Sequence, residues 1–192
     1  NMIDCPGYPD FIGDVKSAVR VCESAIIIIG ANSGVKTGTE IAWDLVGEQG
    51  LSRVFFISKM ERENADFFKV VDEIQGKFGI RCLPVQIPIG SQSDFKGVID
   101  LIELKSWMGQ GDPESTIPDE LKAKASEQRE RMIEAVAETD DALIEKFLAG
   151  DEISDAEITN ALVKAVKAGI INPILCGSGL ANIGVKVLMD AI

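Results

Sequence analysis

The sequence predicts an α/β protein: a parallel sheet layered between helices, interrupted by an inserted α+β subdomain. Three observations carry this. Residues 24–30 (SAIIIIG), 53–58 (RVFFIS) and 172–177 (NPILCG) are apolar runs rich in β-branched or aromatic residues. They do not alternate with polar residues and each closes on a small one, the pattern of strands covered on both faces. Helical spacing lies between the first two runs, the rhythm of a parallel sheet. Over ninety residues then separate Phe78 from the run at 172, where a crossover needs only about 10–12.

Taken in order, Met2-Ile3 reads as the end of a strand and 24–30 as the next one. Thr37-Gly38-Thr39-Glu40 reads as a capping box, with Thr37 as N-cap, opening a helix that runs to 48 and stops before Gly50. After the strand at 53–58, Phe67, Val71, Ile74 and Phe78 fall on one face of a helix ended by Gly79. The long interval holds its own elements: strands over 81–87 and 97–104, then helices over 118–138, 139–148 and 154–168. The last helix opens with a capping box, Ser154 to Glu157. The strand at 172–177 then resumes the parallel sheet.

Charge narrows the function. The chain carries 31 acidic and 19 basic residues, net −12, so it has no large basic face with which to grip phosphate backbones. Residues 114–157 hold 14 acidic and five basic residues, net −9. The absence of histidine removes imidazole acid/base chemistry, Ser/His/Asp systems and His-metal sites. Cys5, Cys22, Cys82 and Cys176 are too far apart in sequence for a C-x-x-C motif, and a chain this long needs no disulfide staples. A reducing, cytoplasmic setting is expected. The longest apolar run, residues 25–29, is far short of a membrane span. With Asn at position 1 and no leader pattern, the sequence reads as the interior of a longer chain.

Three motifs carry chemistry, each closing a predicted strand, where open α/β sheets bind ligands. Asp4-Cys5-Pro6-Gly7 has the D-x-x-G form in which an Asp orders the Mg²⁺ water shell and a Gly N–H reaches a γ-phosphate. Its plain alternative is a Pro-Gly turn. Ser58-Lys59-Met60-Glu61 is similar to the N-K-x-D element whose carboxylate accepts from guanine N1–H and N2–H while the Lys stem packs on the ring; the alternative is a charged strand-to-helix loop. Cys176-Gly177-Ser178-Gly179 could offer backbone N–H groups to guanine O6, or could be a simple Gly-rich exit.

A fourth segment, Gly30 to Thr37, imitates G-x-x-x-x-G-K-[ST]. However, Val35 stands before Lys36 where a phosphate cradle needs Gly, and Thr37 serves better as a cap. An ATPase or kinase using Lys36 is therefore the weakest of the functional readings.

With these motifs in this order, the chain resembles the G domain of the elongation factor G family of translational GTPases. Residues 1–15 (NMIDCPGYPDFIGDV), 34–44 (GVKTGTEIAWD), 55–67 (FFISKMERENADF), 84–106 (PVQIPIGSQSDFKGVIDLIELKS) and 172–192 (NPILCGSGLANIGVKVLMDAI) carry the likeness, which spans essentially the whole chain. It implies a partial P-loop GTPase fold. Residues 1–84 would be the second part of the G domain, without P-loop or switch I, 85–170 an inserted G′-like subdomain, and 171–192 the last strand and helix of the G domain.

The resemblance also implies GTP hydrolysis on the ribosome during translocation, with GTP or GDP and Mg²⁺ as ligands. Asp4 would hold Mg²⁺ through water, Gly7 would contact the γ-phosphate, and Tyr8 would stand at the position of the family's His beside the attacking water. Ser58, Lys59, Glu61, Ser178, Gly179 and Leu180 would surround the base. The acidic helices over 119–157 would dock the stalk protein of the large ribosomal subunit, with no sequence-specific nucleic-acid contact and no membrane. Their ordinary alternative is a solvated face, Glu134, Glu138, Asp141 and Glu145, opposite a packed stripe of Ile133, Val136, Ala137, Ile144, Phe147 and Leu148.

The departures matter. A phenol at position 8 cannot become a cation near neutral pH. Ser58 lacks the family's amide, Glu61 is one methylene longer than Asp, and Gly179 replaces Ala. They resemble those of divergent elongation-factor-G-like paralogues, so the rival function is a non-catalytic or weakly catalytic ribosome-binding protein. This chain alone, lacking a P-loop, is expected to be inactive.

Overall fold

The computed structural model describes residues 1–109 and 116–191. Glu114, which opens the acidic stretch, and Ile192 lie outside the described residues.

The chain begins without regular structure over 1–7, makes a short 3-10 turn at Pro9–Phe11, and enters α1 (Ile12–Ala18), a helix that no local pattern announced. Then come β1 (Ser24–Gly30), α2 (Thr37–Glu48), β2 (Ser52–Ser58) and α3 (Phe67–Phe78). β3 (Cys82–Pro84), β4 (Gln86–Ile89), β5 (Gly97–Asp100) and β6 (Lys105–Met108) follow, then α4 (Asp119–Ala137), α5 (Asp141–Ala149), α6 (Asp155–Lys167), β7 (Asn172–Cys176) and α7 (Val185–Ala191). β1-β2-β7-β3 form a parallel sheet and β4-β5-β6 an antiparallel one.

The parallel sheet follows from its runs. In register, Ile27 pairs with Phe55 and Ile29 with Ile57, all of them buried. Over this face the rings of Trp43, Phe55 and Phe78 stack, with centroids 4.7–5.6 Å apart, an arrangement favoured beyond area burial alone. α3 buries Phe67, Val71 and Ile74 as its spacing predicts, with Asp66 as N-cap accepting from the Lys69 N–H at 3.1 Å.

Six expectations need correction, five of them in the strands and at the start of α2. Met2-Ile3 forms no strand; both side chains are exposed, and no strand edge among the described residues pairs with them. β1 is not covered on both faces, since Ile28 is 65% exposed. Thr37 is not the N-cap of α2. The extended residue is Lys36, whose N–H donates to Thr39 Oγ1 at 3.3 Å, while Glu40 pairs with Lys77 on α3.

The strand expected over 81–87 splits at Val85. The Val85 N–H donates to Ile174 O in the parallel sheet, while its carbonyl accepts from the Leu101 N–H. One residue thus hands the chain from one sheet to the other. The strand expected over 97–104 ends at Asp100, whose Oδ1 accepts from the N–H groups of Ile102 (2.8 Å) and Glu103 (3.0 Å). That Asx turn competes with the ladder and reverses the chain into β6.

The acidic helices keep Glu134, Glu138, Asp141 and Glu145 at least partly open to solvent. Asp140 caps a new helix between them, so the stripe is shared by α4 and α5. Leu148, expected in the packed stripe, is 78% exposed, and Leu143 is buried in its stead. The capping box of Ser154 and Glu157 forms as expected.

Candidate functional site

The parallel strands end together. β1 ends at Gly30 opposite Ser58, and β2 pairs Ile57 with Cys176 of β7. The segments that follow therefore emerge side by side, because a parallel sheet points every carboxyl end the same way.

The loop after β2 is sharply turned. Lys59 has φ of 62°, and its carbonyl accepts from the Arg62 N–H at 3.0 Å. Ser58 O accepts from the Ala31 N–H at 2.8 Å, tying this loop to the one after β1. The Lys59 stem crosses Gly30, lying 3.6 Å from where a Cβ would stand there. Met60 turns inward and is fully buried. Its N–H donates to Gly177 O at 3.3 Å, joining this loop to the one after β7, and its carbonyl accepts from the Gln92 N–H at 2.9 Å.

Glu61 is the notable group. Among the described residues its Oε2 is buried with no hydrogen-bond partner, while Oε1 lies 3.5 Å from Arg62 Nε. A buried acceptor without a donor is costly. The edge of a base carrying N–H groups would supply that donor, so the residue fits the role its motif suggests.

The loop after β7 is built around glycine. A Cβ on Gly177 would meet Ile183 O at 2.5 Å and Phe56 Cζ at 2.8 Å. Ser178 is fully buried. Its N–H donates to Ile183 O (2.8 Å), its carbonyl accepts from Ile183 N–H (3.0 Å), and its Oγ accepts from Ala181 N–H (2.9 Å). The Ser178 N–H is thus committed within the protein. The N–H groups left for a base oxygen are those of Gly179 and Leu180, both exposed residues.

The first motif lies elsewhere. Asp4 and Gly7 are exposed, and Tyr8 is 75% exposed at the start of the 3-10 turn, its carbonyl accepting from Phe11 N–H. Gly7 O stands 3.6 Å from a Cβ placed on Gly38, so this segment passes the first turn of α2. Among the described residues no hydrogen bond joins it to the other two motifs. Burial, then the Asp4 and Asp14 carboxylates and Cys22, hold the Cys5 thiol above its ordinary pKa, which keeps it protonated. Among the described residues no cluster of three carboxylate or thiol groups could cage a metal.

The segment that imitates a P-loop is closed. Gly34 N–H donates back to Gly30 O, and Val35 N–H donates to Glu73 Oε2 at 2.9 Å. The Glu73 carboxylate lies where a Cβ on Gly34 would stand. An anion already occupies the concavity that a phosphate would need, which removes support for the Lys36 ATPase. Spacing gave no sign of Glu73, nor of the Gln92 contact with Met60, because both are long-range.

The model of the elongation factor Tu GTP-binding domain matches residues 1–192. The chain belongs to this family. Elongation factor G of Thermotoga maritima is 40% identical over 197 aligned residues, covering 100% of this chain and 28% of that protein. Elongation factor G of Thermotoga petrophila is 41% identical with the same coverage. A crystal structure of a Thermus thermophilus protein superposes with a TM-score of 0.90 at 30% identity, covering 98% of this chain and 29% of that one. The chain thus spans a little over a quarter of the length of these relatives. Among the described residues no helix is long and apolar enough to cross a membrane.

Proposed function

We propose that this chain is the guanine-reading and γ-phosphate-sensing part of a translational GTPase that hydrolyses GTP on the ribosome during translocation in the cytoplasm. The observation that carries the reading is the buried, partnerless Oε2 of Glu61 in a loop tied to both neighbouring strand ends. In this reading Glu61 accepts from the base, the Lys59 stem lies along the ring, and Gly179 and Leu180 N–H groups face its oxygen. Ser58 and Ser178 act through the framework, since Ser58 O and the Ser178 backbone hold the two loops in position.

Asp4 would orient a Mg²⁺ water shell, Gly7 would offer its N–H to the γ-phosphate, and Tyr8 would hydrogen-bond the attacking water. The Mg²⁺ ion, when bound, neutralises charge on the phosphates. Residues 1–84 and 171–192 would form the nucleotide-binding part and 85–170 the insertion. The carboxylates over 119–157 would meet a basic face of the large-subunit stalk protein, where charge mainly raises the association rate.

The second reading, a ribosome-binding paralogue with little hydrolysis, is favoured by one feature. Tyr8 is exposed and stands where a group able to become a cation is absent.

The test is ribosome-stimulated GTP hydrolysis by the full product of the reading frame encoding this chain, alongside GDP binding by wild type and Glu61→Ala. Loss of a charge-assisted contact worth about 1.5–3 kcal/mol predicts GDP binding weakened by about 10- to 150-fold. Unchanged binding would remove Glu61 from the base site. Tight GDP binding without hydrolysis would select the second reading.

A further inference from the structure

Met60 stands between two loops, and both of its backbone polar groups bond outside its own loop. Its N–H donates to Gly177 O at 3.3 Å, and its carbonyl accepts from the Gln92 N–H at 2.9 Å. The second bond comes from the turn that joins β4 to β5 in the antiparallel sheet. Met60 itself has no exposed surface, so its place is set by what surrounds it. Glu61, the next residue, inherits that place.

The turn is fixed by bonds of its own. The Lys96 N–H donates to Ile89 O (2.9 Å) and the Phe95 N–H to Gln92 O (3.1 Å), while the Phe95 side chain is buried. A Cβ on Gly90 would lie 2.0 Å from Asp94 O, so the chain closes tightly at that glycine. Gln92 has φ of 55° and Lys59 φ of 62°. Left-handed backbone at a residue other than glycine persists only where its contacts over-determine it, and such residues gather at binding sites. Here one of them precedes Met60 and the other donates to it. Gln92 is exposed, so its backbone rather than its side chain makes the contact.

We propose that the β4–β5 turn is a positioning element for base recognition, the Gln92 N–H holding Met60 so that the Glu61 carboxylate meets the N–H groups of guanine. The proposal rests on Glu61 reading the base. Gln92 touches no nucleotide and acts through Met60. Losing its bond therefore weakens the contacts of Glu61 to guanine N1–H and N2–H more than any contact to the ring face or the phosphates.

The test compares GDP with inosine diphosphate, which lacks the N2 amino group, on the full product of the reading frame encoding this chain. Wild type should bind GDP about tenfold or more tightly, the worth of one charge-assisted contact, and Glu61→Ala should erase most of that preference. Gln92→Pro has no N–H and cannot reach φ of 55°. Its preference for GDP should fall at least about fivefold. Gln92→Gly keeps the N–H and suits the backbone, and should bind both nucleotides as wild type does. Circular dichroism checks that the variants are folded. Should Gln92→Pro fail to fold, hydrogen exchange of the wild-type segment 90–95 decides: by linkage, saturating GDP must slow it more than saturating inosine diphosphate does.

A GDP preference that Gln92→Pro keeps, affinities for both nucleotides that fall together, a loss shared by Gln92→Gly, or equal exchange with the two nucleotides would each overturn the proposal. A wild type without the preference, or a preference that survives Glu61→Ala, would instead remove Glu61 from the base site and the proposal with it.

Discussion

Two glycines two residues apart give a sharp test of how the base-side loop is built. A Cβ on Gly177 would lie 2.5 Å from Ile183 O and 2.8 Å from Phe56 Cζ, whereas one on Gly179 meets nothing within 4 Å. Backbone must therefore move by roughly 0.5 Å in Gly177→Ala, since real Cβ contacts below about 3 Å do not occur and close-packed interiors transmit the shift. The groups in the way are those that hold the loop: the paired hydrogen bonds between Ser178 and Ile183, and the Met60 N–H to Gly177 O.

Overpacking of this kind costs about 1–3 kcal/mol, and loosening these hydrogen bonds adds about 1 kcal/mol. A loss of about 2–4 kcal/mol is expected for Gly177→Ala. Gly179→Ala should range from no change to about 1 kcal/mol of stabilisation through the unfolded chain. Urea unfolding followed by circular dichroism measures both. Equal effects for the two, or a Gly177→Ala loss below about 0.5 kcal/mol, would refute the idea that this loop is sterically determined.

Three further outcomes follow from particular contacts. Arg129 is 17% exposed and donates to the carbonyls of Leu101 (2.7 Å) and Ile102 while pairing with Asp155; Arg129→Met should destabilise the chain by about 2–4 kcal/mol, mostly from two carbonyls left without donors, and a urea midpoint equal to wild type would contradict this. Glu157 is held down to about 2 by the Lys146 ammonium first, then by the Ser154 N–H and O–H. A lowered folded pKa means stabilisation present above the ordinary carboxylate value of 4.5 and lost as pH falls towards 2, so Glu157→Gln should be less stable than wild type at pH 6 with the gap closing by pH 2; a constant gap would argue against the pairing. In the full gene product, Tyr8→His should raise single-turnover GTP hydrolysis on ribosomes, within the roughly 10²–10⁴-fold range of a positioned acid/base group, while leaving GDP affinity unchanged. An unaltered rate would take position 8 out of the reaction.

What the sequence determined by itself is local. Ser24–Gly30 and Phe67–Phe78 form where apolar spacing and end signals place them, and α2 forms where expected although its start is capped one residue earlier, at Lys36, because a buried strand or an amphipathic helix writes its period into neighbouring residues. The order of the D-x-x-G, S-K-M-E and C-G-S-G motifs was equally legible, and with it the family. Where a residue's fate depends on a distant partner, local pattern could not speak. Val85 divides one apolar run between two sheets because Ile174 and Leu101 claim its two backbone groups, and apolar spacing is the same on either side. Glu40 leaves its expected cap for Lys77 on another helix. Glu73, 38 residues from Val35, closes the false phosphate loop. Only the tertiary structure joins Met60 to Gly177 and leaves Glu61 Oε2 without a donor, since hydrogen bonds across a parallel sheet unite segments more than a hundred residues apart, and satisfaction of a buried group is decided by all its neighbours at once.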